Sequence, residues 1–353
     1  MSRIREYLEI CTSKAGVAES VNPWVFPGAS WVIGNSRTVF EKGSVGLLGA
    51  GLAPVTEDSL YDLASLTKIP VALALMKQLE DGLIRLEDNI GYFLPLFKAG
   101  PFGAVTLHAL LTHTAPLANL VQLYRRAHNR GEMLEVIRLS EPRHDSPMVL
   151  YTCEAFILLG EIISVVDSSP LDGIIRRRVL EPLKMNDTCF NPPASLLERI
   201  APTEECAWRG HLVRGEVHDE NAVVMGGVSG NAGLFSSASD MSRLAAAVLA
   251  SLEGGGFLKK ASAAIMTHNY TAGKGQNRGL GWMIAERGSS AGDFMSPRSF
   301  GHTGFTGTSL WIDPERKLYT LLLSNRINPN RNNPDILRAR SIFSNLAVLE
   351  YGE

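Results

Sequence analysis

Cysteine is scarce in this chain and never clustered. Cys11, Cys153, Cys189 and Cys206 are the whole complement, with no C-x-x-C pair and no zinc-type spacing. A disulfide scaffold and a thiolate metal centre are therefore not indicated, and four free thiols are expected. Long apolar runs are missing as well: stretches such as Val71–Met76 fall far short of the roughly 20 residues that cross a bilayer. Neither charge is in surplus, with 34 basic against 36 acidic side chains, so nothing draws the chain to phosphate backbones and nucleic acid is not an expected partner. The opening residues, Met1-Ser-Arg-Ile-Arg-Glu-Tyr-Leu-Glu-Ile-Cys11, read as a short amphipathic helix. They lack the apolar segment and small-residue cleavage site of a secretory signal, so a cytoplasmic protein is expected. His144-Asp145 and His218-Asp-Glu220 hold ligand-type side chains, but sequence neighbours rarely converge on one ion. They read as structural hydrogen bonding, and no metal or cofactor is called for.

What is present is length and apolar content enough for a large core: 353 residues, 45% of them hydrophobic. Gly28–Ile33 and Arg37–Phe40, separated by Gly34-Asn-Ser36, read as a first hairpin. Ser309–Asp313, the turn Pro314–Lys317 and Leu318–Ser324 read as another, followed by a final helix carrying Ile336, Phe343, Leu346 and Leu349. Between them the apolar spacing is helical over Leu63–Glu80, Leu107–Thr112, Leu120–Arg130, Glu154–Val166 and Leu171–Val179, broken at Gly82, Pro95, Pro142 and Pro170. The expectation is an α+β fold in one catalytic unit. Residues 1–62 and 200–353 form a discontinuous domain around an antiparallel sheet flanked by the terminal helices, residues 63–199 form an all-helical lobe, and the site lies at their junction.

At that junction stands Asp62-Leu-Ala-Ser65-Leu-Thr-Lys68, just where an apolar helix begins. A free serine hydroxyl is a weak nucleophile that needs a proton acceptor within reach. Residues three apart share a helix face, so the Lys68 amine can reach Ser65 Oγ. A lone S-x-x-K turns up about once by chance in a chain this long; its partners must decide. Two further segments qualify. Tyr151-Thr-Cys153 precedes a strongly amphipathic helix, and Phe300-Gly-His302-Thr-Gly304-Phe305 is a glycine-rich strand edge where backbone can approach a ligand closely.

In this order the three segments resemble the penicillin-recognising serine hydrolases, in the class C β-lactamase-like branch with its DD-peptidases, D-aminopeptidases and esterases. Ser65 and Lys68 match the S-x-x-K element, Tyr151 to Cys153 the Y-x-N element, and His302 to Gly304 the K-T-G element. Leu110–Thr114, Glu181–Met185, Gly226–Ser236 and Leu280–Trp282 are similar to the family's flanking phrases. The resemblance implies a β-lactamase/transpeptidase-like fold and an acyl-enzyme mechanism. Ser65 attacks a carbonyl, Lys68 and Tyr151 share the proton work with the formal base left open, and a desolvated Lys68 loses its proton nearer to neutral pH. Backbone N–H groups of Ser65 and Phe305 form the oxyanion hole. Cys153, His302, Thr303 and Gly304 meet the substrate. The glycines of Gly226–Phe235 fit either a loop that lines the cleft by close backbone approach or a structural turn.

Two positions depart from that pattern. Cys153 replaces a carboxamide, so Lys68 and amide-bearing substrates are expected to be held less well. His302 replaces a lysine, and an imidazole with an ordinary pKa of about 6.5 is mostly neutral at pH 7, which weakens carboxylate recognition. Arg326 is a candidate for the missing positive charge. His113 is expected to bond backbone at a helix end, and Trp282 and Trp311 to pack in the core. The partner is a small-molecule ester, amide or β-lactam, with small esters and D-amino-acid amides favoured. A DD-carboxypeptidase, a weak class C-type β-lactamase and a penicillin-binding sensor without turnover are the alternatives; the natural substrate and the oligomeric state are left open.

Overall fold

The computed structural model describes residues 2–14, 23–120 and 122–352. Met1 of the predicted first helix and Val121 of the predicted 120–130 helix lie outside the described residues. Helix α1 (Arg3–Cys11) leads to strands β1 (Gly28–Gly34) and β2 (Val39–Gly46), and β3 (Tyr61–Asp62) delivers the chain to a run of helices. These are α2 (Lys68–Glu80), α3 (Ile90–Phe93), α4 (Leu107–Leu111), α5 (Arg130–Arg138), α6 (Cys153–Asp167) and α7 (Leu171–Ile175). Short strands β4 (Cys189–Phe190), β5 (Glu205–Cys206) and β6 (His211–Leu212), helix α8 (Glu220–Val224) and strand β7 (Leu234–Ser236) bring it back. Helices α9 (Ala238–Glu253) and α10 (Lys260–Met266), strands β8 (Met283–Ile284), β9 (Phe300–Thr303), β10 (Ser309–Asp313) and β11 (Leu318–Ser324), and helix α11 (Ile336–Tyr351) complete it.

The two ends of the chain meet in one sheet. Its order is β2-β1-β11-β10-β9-β8, antiparallel throughout, with Trp31 opposite Leu322 and His302 opposite Leu310. Every residue of β1, β10 and β11 is buried because both faces are covered, and side chains therefore alternate between two apolar clusters. Trp31, Ile33 and Leu322 join Ile4, Leu8 and Phe343 of α1 and α11 on one face. Val32, Leu321 and Leu323 join Leu244 and Val248 of α9 on the other. Helix α2 packs on α6 and is apolar nearly all round, as a helix enclosed by others must be. No helix among the described residues is long and apolar enough to cross a membrane.

Two sequence expectations are corrected. The second strand begins at Val39, not Arg37, because Asn35 Oδ1 accepts the amides of Arg37 and Thr38 at 2.8 and 2.7 Å and keeps them in the turn. Among the described residues of the 120–130 segment there is a 3-10 turn, Leu123–Arg125, in place of the expected α-helix. The helix starts at Arg130 instead, since Asn129 Oδ1 caps the Glu132 amide at 3.0 Å while the Glu132 carboxylate reaches back to the His128 amide at 2.8 Å. The apolar spacing of Leu120, Leu123 and Ala127 suits a loop pressed onto the lobe as well as a helix.

Candidate active site

Ser65 stands on a 3-10 turn, Ala64–Thr67, that precedes α2 rather than on the helix itself. The buried Asp62 fixes this turn: one carboxylate oxygen accepts the Ala64 amide at 2.8 Å and the other the His218 amide at 2.6 Å, and Ala64 takes a positive φ of 45°. One helical step on, Lys68 is wholly buried and its Nζ donates to Ser65 Oγ at 2.9 Å and to the Asn231 carbonyl at 3.0 Å. Tyr151 Oη donates to the same Ser65 Oγ at 2.7 Å. Burial works to lower the Lys68 pKa, but Tyr151, Cys153 and Asp219 around it outweigh burial and leave it raised. The expected loss of its proton through desolvation is thus opposed by negative charge on the groups around it.

Tyr151 is braced from several directions. Thr152 caps α6, its amide donates to His113 Nδ1 at 3.3 Å, and the His113 ring packs 4.7 Å from the Tyr151 ring. Lys68 Nζ lies 4.9 Å, and the Arg278 guanidinium carbon 5.2 Å, from the centre of that ring. The turn after β9 is stitched to the nucleophile turn: Thr306 Oγ1 donates to Asp62 O at 2.7 Å and Thr308 Oγ1 to Leu63 O at 3.1 Å. Gly304 sits in that seam, where a Cβ would meet Thr308 Oγ1 and come within 2.5 Å of Leu63 O. The amides of Ser65 and Phe305 have no hydrogen-bond partner among the described residues.

His302 is buried, with Nδ1 2.9 Å from Thr303 O and no partner for Nε2. Burial first, and then the charges of Lys68 and Arg278, hold its pKa well below the ordinary histidine value. The ring is neutral at pH 7 for a stronger reason than its intrinsic pKa. Thr303 is half-buried beside it. Cys153 opens α6, half-buried, and burial pushes its thiol up to about 12, which leaves it inert as a nucleophile. Lys68 is held on that side by the Asn231 carbonyl.

Arg326 is engaged with the backbone. It lines the cavity, but its guanidinium donates to Phe305 O at 2.9 Å, Asn333 O at 2.8 Å and Arg331 O at 3.1 Å, and lies 4.6 Å from the Phe305 ring. Those backbone bonds fix the turn that carries the Phe305 amide. Two cavities, of about 410 and 320 Å³, meet at Ser65, Tyr151 and Phe305. Trp282 and Trp311 are buried in the core.

Behind Phe305 lies a charged support. His218 stacks on the Phe305 ring at 5.6 Å, and its Nε2 is 2.9 Å from Glu204, which also receives Arg331 Nε at 2.9 and 3.0 Å. Donor atoms of Glu204, Cys206 and Glu220 approach one another closely enough for a cation, but Arg331 bridges the two carboxylates and already fills that role. Burial works to raise the Glu204 pKa, while hydrogen bonds from His218 and Arg331 outweigh it and hold it at about 2, against an ordinary 4.5. With the folded value below the unfolded one, the stabilisation is complete above about pH 4.5 and is lost as pH falls toward 2. The melting temperature is expected to drop between pH 5 and 3, and to drop less in Glu204→Gln; equal drops in calorimetry would contradict this. Sequence inspection passed over Arg278, Asn231, Glu204 and Arg331, whose burial and partners are set by distant segments.

The profile of the Beta-lactamase family matches residues 21–342. A protein of Salmonella enteritidis named as a candidate D-alanyl-D-alanine carboxypeptidase is 30% identical over 340 residues, covering 84% of this chain and 76% of its own. Its Escherichia coli K12 counterpart is 29% identical over 339 residues with the same coverage. Among solved structures, a penicillin-binding protein homologue from Caulobacter crescentus superposes with a TM-score of 0.76 at 19% identity, over 98% of this chain and 96% of its own. EstCE1, a hydrolase with promiscuous acyltransferase activity, gives 0.74 at 20% identity, over 96% and 98%. The chain belongs to the β-lactamase family and is a serine hydrolase of the β-lactamase/transpeptidase-like fold.

Proposed function

We propose that this protein hydrolyses small esters or D-amino-acid amides through an acyl-Ser65 intermediate. The observation that carries the proposal is the convergence of Tyr151 Oη and Lys68 Nζ on Ser65 Oγ, at 2.7 and 2.9 Å, beside two amides with nothing to bind. Ser65 Oγ attacks the carbonyl carbon as its proton passes to the Tyr151 oxygen, which has first given up its own phenol proton to solvent. Lys68, kept as an ammonium, stabilises negative charge on its neighbours, which gives Tyr151 the acceptor role. The oxyanion is received by the Ser65 and Phe305 amides, each worth about a hundredfold or more in rate. The protonated pair then supplies the leaving group, and water enters by the reverse path to release the acid.

Esters are favoured because an alkoxide or phenoxide leaves more readily than an amine. Neutral His302 and the weakly bonding Cys153 thiol serve carboxylate- and amide-bearing β-lactams poorly. The relatives' names favour a second reading, cleavage of a D-alanyl-D-alanine peptide. Kinetics with p-nitrophenyl acetate, D-alanine p-nitroanilide, nitrocefin and an acyl-D-Ala-D-Ala peptide separate these. The ester is expected to turn over with kcat/KM about a hundredfold or more above nitrocefin; nitrocefin turnover matching the ester would overturn this use of His302 and Cys153.

A further inference from the structure

Arg278 is a buried charge on which Glu286 acts without a direct ion pair. It is 4% exposed and makes no ion pair among the described residues. One Nη donates to the Gln276 side chain at 2.6 Å, while Nε is buried with no partner. A buried guanidinium with no direct ion pair favours the formation of negative charge near it. Its guanidinium lies against the Tyr151 ring, at 5.2 Å from the ring centre, on the wall of the cavity that holds Ser65 and His302.

We propose that Arg278 is a positioning residue that stabilises the negative charge Tyr151 carries before it takes the Ser65 proton, so that the cation absent at His302 is supplied from the segment before β8. The proposal rests on the acyl-Ser65 reading above. In the reactive form Tyr151 has released its own proton to solvent. The Ser65 proton moves to the Tyr151 oxygen as Ser65 Oγ bonds to the carbonyl carbon; the ester C–O bond then breaks, and the departing oxygen takes that proton from Tyr151. Among the described residues, the charged groups set against the ring, Lys68 Nζ at 4.9 Å and the Arg278 guanidinium at 5.2 Å from its centre, are both cations.

Lys68 comes from α2, Cys153 from the start of α6, His113 from the segment after α4, His302 from β9 and Arg278 from the segment before β8; Asp219 acts on Lys68 and Cys153 from the start of α8, Glu286 on Arg278 from just after β8, and Arg340 on His302 from α11. Burial is the leading cause that keeps both histidines neutral and the Cys153 thiol protonated between pH 6 and 9. Burial also lowers the Arg278 pKa, though it starts from 12.5. Lys68 and Arg278 are thus the standing cations around the ring, and removing one is felt where Tyr151 changes charge.

The test is kcat/KM for p-nitrophenyl acetate from pH 6 to 9.5 in the unaltered chain, Arg278→Gln and Arg278→Lys, with Ser65→Ala alongside. Arg278→Gln is expected to lose about tenfold or more at pH 7, its pH–rate rise shifted upward so that the loss shrinks toward pH 9.5. Arg278→Lys, which keeps the charge, is expected to retain activity at pH 7 within about threefold. The same fractional loss at every pH, or Arg278→Lys falling as far as Arg278→Gln, would overturn the proposal. So would a loss confined to 4-acetoxybenzoate and absent with its methyl ester, since Arg278 would then be binding substrate. The underlying acyl-enzyme reading fails separately, if Ser65→Ala keeps its ester turnover.

Discussion

Replacing Ser65 with alanine is expected to lower kcat/KM for p-nitrophenyl acetate by about 10⁴-fold or more, with the fold unchanged. The size follows from the geometry. Ser65 Oγ is the one atom that both Tyr151 Oη and Lys68 Nζ reach, so its removal leaves both groups without a proton to move and the oxyanion hole without an intermediate to hold. The hydroxyl has no other bond to a fixed element of the protein, and the turn is set by Asp62 and Ala64, so the melting temperature should hold within a few degrees. A variant that unfolds, or one that keeps more than about a hundredth of the activity, would contradict this account.

Gly304→Ala is expected to cost about a hundredfold in kcat/KM while KM changes little. The seam between the nucleophile turn and the turn after β9 is closed by Thr306 and Thr308 bonding the carbonyls of Asp62 and Leu63. A methyl group at position 304 would stand 2.5 Å from Leu63 O, and both neighbours there are tied down. The seam must open by several tenths of an ångström, and the Phe305 amide moves with it away from Ser65. Thermal stability should fall too, by about 1–3 kcal/mol as overpacking usually costs. Kinetics matching the unaltered chain would show that the Phe305 amide is not held through this seam.

How much of this was legible in the sequence differs from one feature to the next. Strands β10 and β11 are readable because an apolar run, a Pro-Glu-Arg-Lys turn and a second apolar run leave few alternatives. Helix α6 is readable because its apolar stripe is continuous and Thr152 caps it. The misplaced 120–130 helix and the late start of β2 share one cause: short polar side chains, Asn129 and Asn35, decide where elements begin by bonding backbone locally, and apolar periodicity is blind to that. Ser65, Lys68 and Tyr151 stand out through spacing and order, although no spacing reveals that Asn231 O is the second acceptor for Lys68. Arg278 is the clearest omission. An arginine beside Gly279-Leu280-Gly281 looks like a surface residue, and its burial against Tyr151 exists only once the segment before β8 is folded against the lobe. The same holds for Arg326, whose charge a sequence reading offers to substrate and whose guanidinium is bonded to the backbone around Phe305.

The charge pattern that results is coherent. The position occupied by lysine in the third motif of related hydrolases is a neutral imidazole here, and one reason it is neutral is that Lys68 and Arg278 stand beside it. Placing a lysine at 302 would therefore crowd a further cation into a buried space that Lys68, Arg278 and Arg340 already act on.

The central claim is that a bond forms at Ser65. Intact-mass spectrometry of protein quenched in acid during turnover of a slow p-nitrophenyl ester, followed by proteolytic mapping, tests it most directly. The account predicts the mass of one acyl group on the peptide carrying Ser65, appearing faster than it decays and absent from Ser65→Ala. An acyl group on Cys153, or turnover with no adduct on Ser65, would contradict it.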